Sequence, residues 1–220
     1  LRCSKLHCQK SSLFNAGCFS FYPTKNITTG EGGMITTDNE ELAQTVKTLS
    51  AHGISSHAFQ REKQERPWIR ASTMAGYNYR MSDILSAIGL VQLKKVDAMN
   101  EKRKKHASYL TKQLQTFEEI DTPVEAEHCA HVYQMYTIKI KGVDRSKFIA
   151  SLKNADIGAS VHFDPPVHLQ PYYKESAKKG ELPITEQVSE TIVTLPMYPQ
   201  LTKAELDYMV ENVESALKKK

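Results

Sequence analysis

No apolar run in this chain of 220 residues approaches the roughly 20 residues that a helical membrane span requires. Cysteine is scarce. Cys3, Cys8, Cys18 and Cys129 match no zinc-ligand spacing and imply no short disulfide framework, so no metal site is expected. Free thiols in a reducing cytoplasm are the expectation. The first twenty residues carry Lys and Cys and lack an apolar h-region, which argues against a secretory signal. Charge of one sign is also limited, with a formal net charge of +4. Much of the excess lies in Lys94-Lys95, Lys102-Arg103-Lys104-Lys105 and Lys218-Lys219-Lys220. The first two groups fall among apolar residues at helical spacing, the pattern of a solvated helix face. Neither zinc-finger spacing nor an RNA-binding aromatic motif accompanies them, so no nucleic-acid partner is expected. What remains is 40% hydrophobic and 25% charged, ordinary for a soluble chain with one or two domains and a buried core.

Residues 1–15 show neither helical nor strand periodicity and read as loop or disorder. The pattern changes at Gly17. Residues 18–22 read as a short aromatic strand and 32–37 as a second one. Asp38 with Glu41 forms a capping-box signature, and Leu42, Val46 and Leu49 recur at helical spacing to about Ser50. Residues 52–75 are polar and irregular. A second helix is predicted from about Ser82, carrying Ile84, Ile88 and Val91 at periods of three and four and continuing to about Phe117. Alternation over 132–140 places Val132, Tyr136, Ile138 and Ile140 on one strand face. A short helix follows Asp144, a strand is predicted over 157–163, and a last helix starts at a Thr202/Glu205 capping box. Its buried stripe is Leu206, Met209, Val210, Val213 and Leu217. Strand and helix alternate, so the fold class is α/β, ending in an α+β unit.

Lys25 lies between an aromatic strand and the glycine cluster Thr29-Gly30-Glu31-Gly32-Gly33. Glycines permit positive φ and a close approach of backbone to a ligand. From the residues alone, a hairpin with a solvated lysine at its turn is the simpler reading, because most lysines are surface charges. A lysine becomes a nucleophile toward a carbonyl only when burial or neighbouring cations deprotonate its amine.

Four ordered blocks narrow that choice. They are Gly17-Cys18-Phe19-Ser20-Phe21-Tyr22-Pro23-Thr24-Lys25 with its glycine cluster, Gly76-Tyr77-Asn78-Tyr79-Arg80-Met81-Ser82-Asp83, Val161-His162-Phe163-Asp164-Pro165-Pro166-Val167-His168-Leu169-Gln170-Pro171-Tyr172-Tyr173, and Leu195-Pro196-Met197-Tyr198-Pro199. Together they resemble the DegT/DnrJ/EryC1/StrS sugar aminotransferases, which are fold-type-I pyridoxal-phosphate (PLP) enzymes acting on nucleotide-linked keto sugars. The resemblance implies a partial large PLP-binding domain over residues 1–105, with 1–15 off the pattern, and a small α+β C-terminal domain over 106–220. It also implies site residues. Lys25 matches the lysine that forms a Schiff base with PLP, and Ser20 the serine that binds the cofactor phosphate. Asn78 and Arg80 fall in the segment that meets the phosphate of a neighbouring subunit. His162 and His168 match the histidine-bearing loop near the sugar nucleotide; for each, a structural histidine is the alternative. Tyr22 stands where many relatives carry histidine, and is a further substrate-side candidate.

By the same resemblance the partners are glutamate, a nucleotide-sugar and a second subunit, either another copy in a homodimer or a full-length relative. Members of the family carry about half of their chain before the lysine, including a phosphate loop, an aromatic that stacks on the cofactor ring and an aspartate for its nitrogen. Here 24 residues precede Lys25, and residues 1–30 contain no Asp or Glu. The chain is therefore expected to correspond to the C-terminal portion of such an aminotransferase and to be inactive alone. The alternative is a non-catalytic interaction or dimerisation fragment. A related PLP-dependent dehydratase is disfavoured, since those relatives replace the lysine by histidine.

Overall fold

The computed structural model describes residues 15–54, 66 and 68–218. Apart from Asn15, the segment expected as loop or disorder lies outside the described residues, as do 55–65 and 67 of the expected irregular stretch. The chain divides into two compact units, Leu1–Val96 and Asp97–Lys220.

In the first unit, β1 (Gly17–Ser20) pairs antiparallel with β2 (Gly33–Thr36), with Gly17 opposite Thr36 and Ser20 opposite Gly33. The connection folds back on Phe21, whose N–H donates to the Gly32 carbonyl (2.9 Å) while its carbonyl accepts from Thr29 N–H (3.1 Å). Phe21 is thereby buried at 6% exposure, and both strands are shorter than the pattern predicts. Helix α1 (Glu40–Ser50) starts one residue later than the capping box suggests. Asn39, not Asp38, is the N-cap, its Oδ1 accepting from Leu42 N–H at 2.9 Å, and Thr37 Oγ1 in turn accepts from Asn39 N–H.

Helix α2 (Asp83–Leu114) runs for 32 residues, and the division between the units falls within it. Met81, two residues before the helix, and Gly89 within it lie against the hairpin: an added Cβ at Gly32 would lie 2.4 Å from Met81 Cε, and one at Gly89 would lie 3.0 Å from Thr29 Cγ2. Gly89 shares a face with the half-buried Leu85, at i and i+4. The apolar stripe read from the sequence is a different face: Ile84, Ile88 and Val91 are 75%, 43% and 50% exposed.

The second unit is an antiparallel sheet in the order β3 (Ile120–Asp121), β4 (Tyr136–Ile140), β5 (Ile192–Leu195). Tyr136, Ile138 and Ile140 project into the core as their period-2 pattern requires. Val132 does not join them. The backbone at Tyr133 takes φ 44°, which ends the extended run, and Val132 is 40% exposed. Helix α3 (Arg145–Asn154) is capped by Asp144, whose side chain accepts from Lys147 N–H at 3.0 Å. It packs against α5 (Lys203–Lys218). The α5 capping box forms as read: Glu205 Oε2 accepts from Thr202 N–H at 2.7 Å, and Thr202 Oγ1 accepts from Glu205 N–H at 3.2 Å. Leu206, Met209, Val213 and Leu217 are buried.

Two readings change. Residues 157–163 form no strand, only a bridge in which Ser160 and Thr194 exchange both backbone hydrogen bonds, at 3.0 and 2.8 Å. Beyond it the Phe163 carbonyl accepts instead from Ser189 Oγ at 2.6 Å, and Asp164 pairs with Arg145, so the chain leaves the sheet. Helix α4 (Pro183–Thr191) is unanticipated; it starts with Pro at N1, where the missing N–H costs nothing.

Candidate active-site segments

Lys25 lies in the turn after β1, its N–H donating to the Tyr22 carbonyl at 3.0 Å, and it is half-buried. Thr28 closes the same turn, its hydroxyl donating to the Phe21 carbonyl and accepting from Gly30 N–H, both at 2.9 Å. Thr29, 2% exposed, donates to the Glu31 carbonyl at 2.7 Å. The turn is therefore fixed by its own threonines, independently of any ligand. Ser20 is exposed at the end of β1, its Oγ accepting from Tyr22 N–H at 3.4 Å; Tyr22 is 49% exposed.

Asn78 and Arg80 are held by a backbone seam on the C-terminal end of α1. Tyr77 N–H donates to the Leu49 carbonyl (2.7 Å), His52 N–H to the Tyr77 carbonyl (2.8 Å) and Tyr79 N–H to the Ser50 carbonyl (2.9 Å). The first and last of these serve the Leu49 and Ser50 carbonyls, helix-end groups that α1 itself leaves without partners. The seam needs glycine at two places. Gly53 has φ 73°, and a Cβ there would sit 1.8 Å from the Met74 carbonyl oxygen; a Cβ at Gly76 would sit 2.0 Å from Gly53 N. On this base Arg80 Nε donates to Asn78 Oδ1 at 3.1 Å, and its Nη2 lies 3.2 Å from His52 Nε2. Tyr77 and Tyr79 stack beside them with ring centroids 4.8 Å apart. The structure thus brings Asn78 and Arg80 together and adds His52, which the sequence reading passed over.

The two histidines have different surroundings. His162 is exposed, its Nδ1 3.3 Å from Thr194 Oγ1 and 3.5 Å from Ser160 Oγ. His168 is mostly enclosed, its Nε2 3.1 Å from Glu186 Oε1, with side-chain exposures of 12% and 9% for the pair. The Glu186 carboxylate also accepts from Gly180 N–H at 2.8 and 2.9 Å. The His168 hydrogen bond, then those from the backbone, hold Glu186 below the usual carboxylate range against the opposing effect of burial. Glu186 was missed in the sequence. Its only signal was an acid in the first turn of a helix begun by a proline, which ordinarily reads as a dipole complement.

Among the described residues, no group of three His, Cys, Asp or Glu side chains could hold a metal ion, and no helix is long and apolar enough to cross a membrane.

The architecture, a lysine-bearing hairpin with part of a larger α/β domain followed by a small α+β unit, is that of a fold-type-I PLP transferase. The chain belongs to the DegT/DnrJ/EryC1/StrS aminotransferase family, which it matches over residues 8–214. An uncharacterized protein of Methanocaldococcus jannaschii is 43% identical over 91% of this chain and 52% of its own length. The spore coat polysaccharide biosynthesis protein SpsC of Bacillus subtilis is 36% identical over 94% of this chain and 55% of its own. Among solved structures, Spr1654 from Streptococcus pneumoniae in its PMP form aligns with TM-score 0.85 and 27% identity, covering 93% of this chain and 53% of that one. DesV of S. venezuelae, solved with a ketimine intermediate, aligns with TM-score 0.80 and 27% identity over 91% of this chain and 51% of that one. The chain therefore spans about half the length of the relatives it matches.

Proposed function

We propose that this chain carries the lysine-bearing and histidine-bearing segments of an enzyme that transfers an amino group from glutamate to a nucleotide-linked keto sugar with PLP. One observation carries the reading: Lys25 is half-buried in a turn locked by Thr28 and Thr29, in the segment that resembles the family's Schiff-base lysine motif. The donor set fits a phosphorylated aldehyde. Lys25 offers a primary amine, while the Ser20 hydroxyl and the exposed Asn78 and Arg80 offer neutral and charged donors suited to phosphate. PLP, when bound, supplies the aldehyde and the electron-withdrawing ring on which amino transfer depends.

The roles of the residues follow. Lys25 holds the cofactor through its amine and afterwards moves a proton at the reacting carbon. Ser20 anchors the phosphate of the same chain's cofactor, and Asn78 with Arg80 that of a neighbouring subunit. His162, His168 and Tyr22 are the candidates for sugar-nucleotide contact; His162 and Tyr22 are exposed, and His168 is mostly enclosed against Glu186. The test is a titration of the purified chain with PLP, followed by borohydride reduction and peptide mass mapping. The expected result is a visible absorption change and a cofactor mass increment on the peptide containing Lys25, both lost in Lys25→Ala. Equal spectra from the two proteins would sink the assignment.

A second reading, a non-catalytic dimerisation fragment, draws on the exposure of Ile84 (75%), Leu90 (64%) and Val91 (50%) along α2. Sedimentation distinguishes them: self-association that persists in Lys25→Ala, without any PLP spectrum in the unaltered chain, favours the fragment.

A further inference from the structure

Between the Ser160 bridge and α4, the second unit makes an excursion of some twenty residues with no sheet pairing. Two 3-10 turns, Val167–Leu169 and Pro171–Tyr173, supply its only regular structure. The outgoing limb is fastened by Ser189 Oγ to the Phe163 carbonyl, by Arg145 to Asp164 and the Ser189 carbonyl, and by Gln170 Nε2 to the Pro165 carbonyl (2.7 Å). The far part, residues 169–179, is mostly exposed, and Tyr172 is 88% exposed.

One side chain joins the two ends of this far part. Glu186, itself 8% exposed, meets His168 Nε2 at 3.1 Å on the outgoing limb. On the returning limb it accepts from Gly180 N–H through both oxygens (2.8 and 2.9 Å) and from Leu182 N–H at 3.4 Å. A carboxylate has lone pairs enough for all these donors, and bonds to an ionised acceptor are about twice as strong as neutral ones. Among the described residues, His168 is the titratable group that acts on Glu186; Lys179 on the returning limb faces Glu190 instead, at 3.8 Å.

We propose that Glu186 is the positioning residue of the histidine-bearing segment: its carboxylate clasps His168 to Gly180 and closes residues 168–182 into a fixed loop. Phe163 and Ser189 fasten the excursion near its base and Glu186 fastens its far part, so the clasp removes conformational entropy that would blur where His168, Tyr172 and Tyr173 are presented. That the histidine-bearing segment faces a sugar nucleotide rests on the reading above; the clasp itself does not. Glutamine at 186 keeps the size but replaces one accepting oxygen with a donor and removes the charge, so it can accept Gly180 N–H through one neutral oxygen only and cannot titrate.

The experiment uses the full 220-residue chain. Amide NMR from pH 7 to 3 follows Gly180 and Leu182, with Ile138 and Val193 as core references. Trypsin at pH 8 reads the loop at Lys174, Lys178 and Lys179. In the unaltered chain the Gly180 amide should step as pH falls, with a midpoint below that of an ordinary glutamate. Glu186→Gln should abolish the step and speed loop cleavage about tenfold or more, the scale of one hydrogen bond to a charged group, with Ile138 and Val193 still protected. His168→Gln should keep the step but raise its midpoint, a change that mere packing loss would not give. A Glu186→Gln chain cleaved at the unaltered rate, or a Gly180 step that survives in it, overturns the clasp. If Glu186→Gln loses core protection as well, His168→Gln decides: a midpoint that does not move overturns the proposal. Failure of PLP to bind leaves every one of these readouts in place, so the two readings fail separately.

Discussion

The two units differ in how much of their apolar surface each one buries. In the second unit, Leu110, Leu114, Tyr136, Ile138, Phe148, Leu152, Val193 and Val213 are all at 0–1% exposure, drawn from helix and sheet alike. In the first, Phe21 is the one large apolar side chain in the buried class among the described residues, while Trp68, Tyr79 and Ile84 are exposed at 73–75%. Each large side chain moved out of water contributes about 1.5–3 kcal/mol, so the second unit has a driving force of its own and the first has little. The first unit is held instead by local hydrogen bonds: threonines in the Lys25 turn and a backbone seam on α1. Such bonds contribute only about 1 kcal/mol each, and they specify geometry more than they supply stability. The candidate cofactor residues lie on the part that is specified but weakly stabilised.

The contrast can be broken most directly by truncating one side chain in each unit. Leu152→Ala, at 0% exposure, should cost about 2–5 kcal/mol in chemical denaturation followed by far-ultraviolet circular dichroism. Ile88→Ala, at 43% exposure, should change stability by about 0.5 kcal/mol or less. Fluorescence of the single tryptophan, Trp68, reports the first unit and should not share the main transition. Equal costs for the two substitutions, or coincident transitions, would show that the units share one cooperative core.

A smaller effect sharpens the same contrast. Thr202→Ala removes the hydroxyl that accepts Glu205 N–H at the start of α5, and should cost about 1 kcal/mol in the main transition. Tryptophan fluorescence should not register it.

The smallest expected effect is with pH, and it too should be confined to the second unit. Asp121, Glu186, Glu205 and Asp207 are all held below their ordinary values, chiefly by Lys141, His168, the Thr202 backbone N–H and Lys203 respectively. A carboxylate with a lowered folded value binds fewer protons folded than unfolded, so its stabilisation is present above the unfolded value and is lost as pH falls through the folded one. With ordinary values of 4.5 for Glu and 3.8 for Asp, the melting temperature of the main transition should be flat from neutrality down to about pH 5 and fall below that. A melting temperature that rose on acidification would contradict the sign.

Local patterns and ordered motifs were legible in the chain because their causes are local. The capping box at Thr202, the short helix after Asp144, the alternation of Tyr136, Ile138 and Ile140, and the stripe on α5 each follow from neighbours within four residues. The four motif blocks carried the family as well, since residue order survives without any knowledge of packing. The face that α2 turns inward was not legible. Ile84, Ile88 and Val91 have the better apolar spacing, but Gly89 marks the side that meets the hairpin. Nor was the fate of residues 157–163, whose strand-like composition yields to side-chain partners on α3 and α4. Lys25 stands out as a candidate from its neighbours in sequence, and its turn is built by threonines three and four residues away. Glu186 does not, because what distinguishes it from any other acid in a first helical turn is the arrival of His168, eighteen positions earlier, and of Gly180, six. A buried carboxylate acquires its role only from the donors that tertiary folding brings to it.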